Sequence, residues 1–298
     1  MRQCIDVSII IVSYNTREFL RECLYSLFEK TKSLSFEVVV VDNESSDSSV
    51  QMIQELFPQV KILNSGGNVG FGRANNIGIK EARGRNIFLL NPDTILLNNA
   101  IKILSDFLDS QSVVAVCGGN LYNIDKEPTH SFLRYLPSVF GELDQLTGYK
   151  LAKWCYGKSF EFNYGDQPLP VGYITGADMM IKRKVLEEVG CFDPDFFMYF
   201  EETELTYRIR KAGYKITSVP EACIVHLEGK SHSLKENRER MFLTSRRLYY
   251  KKTLKYNLIF YVCQMLYGLN VCIHILYYSL FHRDKEQSKI WKFRWKIF

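Results

Sequence analysis

The chain has 298 residues, of which 46% are hydrophobic and 24% charged, a balance that indicates a globular protein and excludes a disordered one. Its length is enough for one large α/β domain with an appendage, or for two modest domains. The formal net charge is +5 with no long block of like charge, so nothing here indicates a nucleic-acid partner.

The first hundred residues alternate between strand-like and helix-like patterns. Apolar runs rich in β-branched residues predict strands covered on both faces, at residues 7–12, 36–41, 60–63 and 86–90. Helical spacing predicts helices after them. Asn15 is the expected N-cap of the first, Ser45 can cap the second, and the next two begin near Arg73 and Asn99. This alternation with short loops predicts a parallel sheet flanked by helices and joined by right-handed crossovers.

Polar clusters follow each of these predicted strands. They are residues 13–15, 42–43, 66–72 and 91–93. Ligands of parallel sheets bind at the carboxyl ends of the strands, so we expect these clusters to form one site.

The second half is less regular. Residues 123–170 carry scattered prolines, glycines and aromatics and predict an irregular insert, after which regular patterns resume at 172–181 and 183–189. Residues 196–212 are first aromatic, then acidic, then helical. From about residue 235 a basic helical stretch leads into the apolar run 258–281.

Two of the strand-end clusters suggest a nucleotide. A carboxylate at Asp42 can accept a hydrogen bond from the imide N–H of uracil or thymine, although the serines that follow also favour a simple helix cap. The glycine-rich segment 66–72 suggests a phosphate cradle, but it does not match the dinucleotide pattern, so a tight turn into a helix stays open.

Asn91 and Asp93 form a candidate metal-binding site. Residues two apart on an extended chain point the same way, and Asp93 can hold a hard divalent cation whose shell phosphates complete. The alternative is a turn, which the Asn-Pro-Asp sequence also favours.

Three carboxylates follow the aromatic run at 196–200. Glu201, Glu202 and Glu204 lie beside apolar residues, which can raise the pKa of one of them and suit it to remove a proton from a hydroxyl. The alternative is that these acidic residues only stabilise a helix N-terminus.

His226 follows another apolar run and can bind a metal or a diphosphate oxygen. The alternative for His226 is a hydrogen-bonded histidine at a strand end. Lys230 lies just beyond it and can serve a loop that closes over a phosphate.

Five motifs in order resemble the family 2 glycosyltransferases, specifically their rhamnosyltransferase-like branch. They are VSIIIVSYN from Val7, VVDNESSDSS from Val40, GGNVGFGRANNIGI from Gly66, LLNPDT from Leu89 and the long segment TGADMM…AGYKI from Thr175. The resemblance covers about three quarters of the chain. It implies a GT-A fold, which is a Rossmann-like nucleotide-binding α/β sheet with helices on both faces, fused to an acceptor-binding half.

The resemblance also implies a site. It implies inverting transfer from a dTDP- or UDP-linked sugar, with rhamnose favoured, and a Mg²⁺ or Mn²⁺ ion. The residues it implies for the nucleotide sugar are Ser13, Tyr14, Asn15, Asp42, Gly70, Asn75, Asn91 and Asp93. Glu202 takes the position of the family's base, with Glu201 as second choice, and His226 and Lys230 would serve the diphosphate. Asp93 and His226 are the metal candidates. Asn91 is neutral where the family has an acidic residue, and Glu202 replaces an aspartate.

The C-terminal stretch suggests a membrane. Residues 258–281 are long enough to span a bilayer, but interior polar residues favour a helix or hairpin lying on the cytoplasmic leaflet. A helix pair packed on the catalytic domain is the alternative. No signal-peptide pattern precedes the first strand, so we expect the cytoplasmic face.

These patterns predict a division of the chain and leave two other functions open. We expect a glycosyltransferase domain at 1–235, made of a nucleotide-sugar half at 1–120 and an acceptor half at 121–235, and a membrane-associating tail at 236–298. A lipid-linked or glycan acceptor in surface polysaccharide synthesis follows from the tail and the resemblance. The alternatives are an inactive nucleotide- or carbohydrate-binding scaffold and a nucleotide-sugar pyrophosphorylase-type enzyme.

Overall fold

A computed structural model describes residues 5–227 and 235–298 of the chain. Its strands are β1 Val7–Ser13, β2 Phe36–Asp42, β3 Lys61–Asn64, β4 Asn86–Leu90, β5 Thr94–Leu96, β6 Val114–Tyr122, β7 Phe132–Leu133, β8 Leu169–Pro170, β9 Tyr173–Ile174, β10 Asp178–Lys182 and β11 Lys215–His226. Its α-helices are α1 Arg17–Lys30, α2 Ser49–Leu56, α3 Phe71–Glu81, α4 Ala100–Ser110, α5 Val139–Leu146, α6 Lys150–Tyr156, α7 Arg183–Val189, α8 Glu201–Lys211, α9 Lys235–Leu254, α10 Leu258–Leu276 and α11 Lys285–Ile297. A 3₁₀ turn at Gly157–Phe160 and a π-helical turn at Tyr277–Phe281 complete the regular structure described.

One large sheet organises the molecule, in the order β3-β2-β1-β4-β10-β6-β11-β5, with β8 beside β11. Strands β1 to β4 are parallel, as the sequence predicted. Strand β10, for which the sequence predicted no direction, runs antiparallel to both β4 and β6, so the complete sheet is mixed. The antiparallel β10 brings its starting residue, Asp178, beside Leu90 at the carboxyl end of β4.

Helices cover both faces of this sheet, which is why its strands read as continuous apolar runs. On one face α1, α2 and α4 share a buried cluster with alternate strand residues such as Ile9 and Ile11. On the other face α3, α7 and α8 share a second buried cluster with Ile10 and Val12. All of β1 is buried, and each fully buried Ile or Val contributes roughly 1.5–3 kcal/mol.

The predicted insert at 123–170 is more regular than expected, because it holds β7, α5, α6 and β8. Strands β5 and β6 were missed. The predicted strands at 36–41 and 86–90 match closely, and the helix at 183–189 begins and ends where predicted.

The C-terminal helices pack on the rest of the chain. Helix α10 contacts α5, α9 and α11, and it buries Phe260, Cys263 and Val271 on one side. Among the described residues, the single helical stretch long and apolar enough to cross a bilayer is Leu258–Phe281, judged by length and composition alone. A second side of α10 is exposed, with Leu258 at 79% and Met265 at 65%.

Candidate active site

The strand-end site begins where β1 and β2 finish side by side. Ser13 and Asp42 are partners in the parallel ladder, and the Asn43 N–H donates to the Ser13 carbonyl at 2.8 Å. Both side chains are buried, at 1% and 5% exposure. The Ser45 N–H lies 3.3 Å from each carboxylate oxygen of Asp42. The structure thus places Asp42 at the end of β2, and its role in binding the N–H of a nucleotide base stays a prediction.

The loop after β1 is tied to the loop after β2. The Asn15 N–H donates to Ser45 Oγ at 3.0 Å, and Asn15 Oδ1 accepts from the Ser46 N–H at 2.8 Å. Asn15 has φ of 53°, a left-handed conformation that asparagine tolerates, and the N-cap of α1 is Thr16. The expectation that Asn15 caps this helix was therefore wrong. Tyr14 beside it is 47% exposed and so is accessible to a ligand.

The glycine-rich loop joins the same edge through Asn43. The Asn43 side chain donates to Asn68 Oδ1 at 3.0 Å and accepts from the Val69 N–H at 3.0 Å. Gly70 then has φ of +86°, and a Cβ there would lie 2.2 Å from the Phe197 carbonyl oxygen. Glycine is required at this position because the backbone of residues 196–204, the acidic segment, passes directly over it at Phe197.

Asn75 makes its described contact within α3. It is 1% exposed, and its side-chain nitrogen donates to the Phe71 carbonyl at 3.1 Å. One helical turn away, the Phe71 N–H donates to the Phe197 carbonyl at 2.9 Å. Asn75 thus supports the turn that carries the glycine-rich loop, and its position along a nucleotide stays a prediction.

Asn91, Asp93 and His226 come together at the end of β4. His226 Nε2 lies 3.3 Å from Asp93 Oδ1 and 3.5 Å from Asn91 Nδ2. The backbone fixes this approach, because β5 and β11 pair His226 with Thr94 and the Leu227 N–H donates to the Asp93 carbonyl at 2.9 Å. Residues 135 positions apart in the chain are thereby brought to one point.

These groups occupy one edge of the sheet. Strands β2, β1 and β4 are neighbours and parallel, so β2 and β4 lie two strand spacings, about 10 Å, apart. Asp42 ends β2, and Asp93 follows β4. The antiparallel β10 reaches the same edge, where the Ala177 carbonyl accepts from the Asn91 N–H at 2.9 Å. Gly176 there packs against the Phe71 ring, and Gly72 packs against Glu201. A continuous set of contacts thus joins the metal candidates to the start of α8.

The three glutamates of α8 have different surroundings. Glu204 forms an ion pair with Arg208 at 2.8 Å, and Arg208 also donates to the carbonyls of Val189, Gly190 and Cys191. Glu201 is 3% exposed, and its Oε2 has no hydrogen-bond partner among the described residues. Burial raises the pKa of Glu201 well above its usual range, and the charge of Glu202 raises it further.

Glu202 is the carboxylate that stays partly accessible. Burial raises its pKa, while hydrogen bonds from its own N–H and from Thr203, and the charge of His130, act in the opposite direction. The charge of Glu202 also contributes, after burial, to a raised pKa of Tyr173. Glu202 is therefore the glutamate of α8 best placed to exchange a proton with a bound hydroxyl.

Sequence reasoning missed the neighbours of Glu202. His130 and Tyr173 line a cavity of about 390 Å³ whose wall also includes Phe242 and Arg246 of α9. Their only sequence signal was the density of aromatic residues in the insert and the tail. Lys230, predicted for the diphosphate, lies outside the described residues.

The chemistry of Asp93 and His226 fits a divalent ion that is shared with a ligand. A carboxylate oxygen and an imidazole nitrogen are both ligands for Mn²⁺, and an amide rotation would turn Asn91 Oδ1 towards the same point. Across residues 5–227 and 235–298, no three His, Cys, Asp or Glu side chains are grouped as a metal site. The protein groups present would hold an ion only together with oxygens from a bound donor.

Comparisons with known proteins identify the family of the chain. The sequence profile of Glycosyl transferase family 2 matches residues 8–190, more than half of the chain. A low-salt glycan biosynthesis hexosyltransferase, Agl10 of Haloferax volcanii, is 28% identical over 81% of this chain and 73% of its own. The N-acetylglucosaminyl-diphospho-decaprenol L-rhamnosyltransferase of Mycobacterium tuberculosis is 27% identical over 76% of each chain.

A solved structure shares the fold. The mannosyltransferase PcManGT from Pyrobaculum calidifontis, in complex with GDP-Man and Mn²⁺, matches with a TM-score of 0.61 and 13% identity. The match covers 98% of this chain and 86% of that one. At 13% identity this similarity supports the GT-A fold alone.

Proposed function

This chain belongs to glycosyltransferase family 2, and from that premise we propose that it transfers rhamnose from dTDP-rhamnose, with inversion, to a hydroxyl of a lipid-linked glycan. The observation that carries the proposal is the series of contacts that joins the sheet edge of Asp42 and Asp93, through β10 and α3, to the start of α8, the helix that carries Glu202. The Mycobacterium tuberculosis relative, which is named as an N-acetylglucosaminyl-diphospho-decaprenol L-rhamnosyltransferase, supports both the sugar and the lipid.

In this proposal Asp42 accepts the imide N–H of the donor's base, and the loop around Tyr14 and Asn15 covers the nucleotide. Gly70 lets the acidic segment close against the nucleotide half. Asp93 and His226 would hold Mg²⁺ or Mn²⁺, and such an ion supplies positive charge beside the leaving diphosphate. The Mn²⁺ in the PcManGT structure supports a divalent ion here.

Glu202 is the proposed general base. Its carboxylate takes the proton of the acceptor hydroxyl, and the oxygen attacks the anomeric carbon from the face opposite the diphosphate. The bond from that carbon to the diphosphate oxygen breaks, and its electron pair leaves with the nucleoside diphosphate. One displacement therefore inverts the configuration.

The C-terminal segment supports a place at the cytoplasmic face of the membrane. Helix α10 and the π-helical turn after it present an apolar stripe at helical spacing, made of Leu258, Tyr261, Met265, Leu269, Leu276 and Leu280, each at least 50% exposed. Basic residues flank it at Lys251 and Lys255 before the helix and at Lys289 after it. An apolar stripe beside cations suits the surface of an anionic bilayer. Because the opposite side of α10 packs on the protein, we propose that the helix lies on the bilayer and does not cross it.

The experiment that tests the function is a screen of dTDP- and UDP-sugars for thermal stabilisation, followed by transfer to a membrane lipid extract. A bound donor raises the melting temperature by mass action. We expect dTDP-rhamnose to stabilise the protein and to yield a radiolabelled lipid product with Mn²⁺ present. Failure of every nucleotide sugar to bind or transfer would refute the proposal.

A further inference from the structure

A cavity of about 390 Å³ lies between the insert, α5, the start of α8 and α9. Its volume is within the range of small-molecule sites. Six aromatic side chains line it, namely Tyr135, Tyr149, Tyr173, Phe200, Phe242 and Tyr250. Aromatic walls with a few polar groups are what a sugar ring requires, because its C–H face is apolar while its rim carries hydroxyls.

One polar group of the wall is buried and incompletely paired. Glu142 is 2% exposed, and its Oε1 accepts from the Tyr250 hydroxyl at 2.6 Å and lies 2.7 Å from Arg246. Its Oε2 has no hydrogen-bond partner in the described parts of the chain. A buried carboxylate oxygen without a donor is costly, and Glu142 is one of the residues that line the cavity.

The charges of the wall argue against an anionic occupant. The Arg246 guanidinium is already held by Glu142, by Gln264 at 3.2 Å and over the Tyr267 ring at 4.0 Å. His130 lies 3.4 Å from Glu161. A diphosphate would therefore face two carboxylates with little unpaired positive charge, and a hydrocarbon chain would leave those same carboxylates without donors.

We propose that this cavity binds a neutral sugar ring of the acceptor, and that α9 forms part of the acceptor site. The inference rests on the proposed function. Its second support is position: Phe200, the N-cap residue of the helix that carries Glu202, lines the cavity. A ring bound there lies beside the start of α8, so the C-terminal segment recognises the acceptor in addition to any role at a membrane.

The test uses the full chain, with Phe242→Ala on α9 and Gln145→Leu on α5 as the cavity variants. Leu243→Ala is the matched control, because Leu243 is buried on the same helix but does not line the cavity. The probes are octyl glycosides of glucose, galactose, N-acetylglucosamine and rhamnose. Release of nucleoside diphosphate is measured with and without each glycoside, using the donor found by thermal stabilisation.

We expect one glycoside to accelerate release, and both cavity variants to raise its KM about tenfold while donor hydrolysis in water stays within about twofold. Leu243→Ala should keep the wild-type KM. An unchanged KM in both cavity variants would overturn the inference, as would a wild type that hydrolyses donor but responds to no glycoside. A wild type that neither hydrolyses nor transfers any donor refutes the proposed function itself, and the inference falls with it.

Discussion

His226 Nε2 lies 3.3 Å from Asp93 Oδ1, although Asp93 directly precedes β5 and His226 ends β11, the last strand in the described part of the chain. The pairing of β5 with β11 creates this contact, since it aligns His226 with Thr94. A histidine and a carboxylate held together at a strand end can supply two protein ligands for a divalent ion, and oxygens of a nucleotide diphosphate can supply further ligands.

The first prediction concerns this pair. Asp93→Asn and His226→Gln should each lower transfer at least about hundredfold, because each removes a group that positions charge beside the diphosphate. Chelation should suppress the wild type, and added Mn²⁺ should restore it. Asp106→Asn on the exposed side of α4 is the control. Full sugar transfer by the wild type in the presence of a chelator would contradict a metal role for Asp93 and His226.

A second prediction concerns Glu201, whose pKa burial raises well above its usual range. The folded chain then keeps a proton that the unfolded chain releases above about pH 4.3, so stability falls as pH rises from there to the folded pKa. Glu201→Gln should match the wild type at acidic pH and be more stable at pH 8, by chemical denaturation. A difference independent of pH would contradict the raised pKa.

Gly70 gives a third prediction. Gly70→Ala places a Cβ 2.2 Å from the Phe197 carbonyl oxygen in a backbone region that is nearly glycine-only, so it should destabilise the fold by about 3 kcal/mol. Gly148→Ala is the matched control, since φ there is +64° but nothing lies within 4 Å, and about 1 kcal/mol is expected. Equal losses of folding stability in the two variants would mean that the contact between the glycine-rich loop and the acidic segment does not stabilise the fold.

The exposed stripe of α10 gives a fourth prediction. Changing Leu258, Met265 and Leu269 together to serine should reduce binding to phosphatidylglycerol-containing vesicles at least about tenfold, because each loses apolar area available to the bilayer. Trp154→Ser removes an apolar group that is 84% exposed elsewhere and should bind as the wild type does. Unaltered vesicle binding of the triple variant would place membrane contact on another surface.

Sequence patterns could predict the parallel half of the fold well. Strands β1, β2 and β4 are buried on both faces, so their composition alone identifies them, and parallel strands bring their polar ends to one edge. The antiparallel direction of β10 was missed because an apolar run has no direction. Asn15 was misread as a cap because asparagine also suits the left-handed turn that it forms.

The acceptor side was less predictable for a physical reason. Its walls depend on contacts such as Tyr250 to Glu142, which are 108 residues apart, and local periodicity does not say which distant helices pack together. The three glutamates of α8 looked equivalent in sequence. Only their packing distinguishes Glu204 in its ion pair and Glu201 beneath the glycine loop from the accessible Glu202.

The most direct measurement is the turnover of Glu202→Gln beside its affinity for the donor. We expect kcat to fall about 10²- to 10⁴-fold with the donor Kd unchanged, because the amide cannot accept the hydroxyl proton. Glu187→Gln, on the exposed side of α7, should keep both values. In the wild type, the acid limb of the rate profile should lie above the ordinary glutamate pKa, since burial raises the pKa of Glu202. Near-normal turnover in Glu202→Gln would contradict the account.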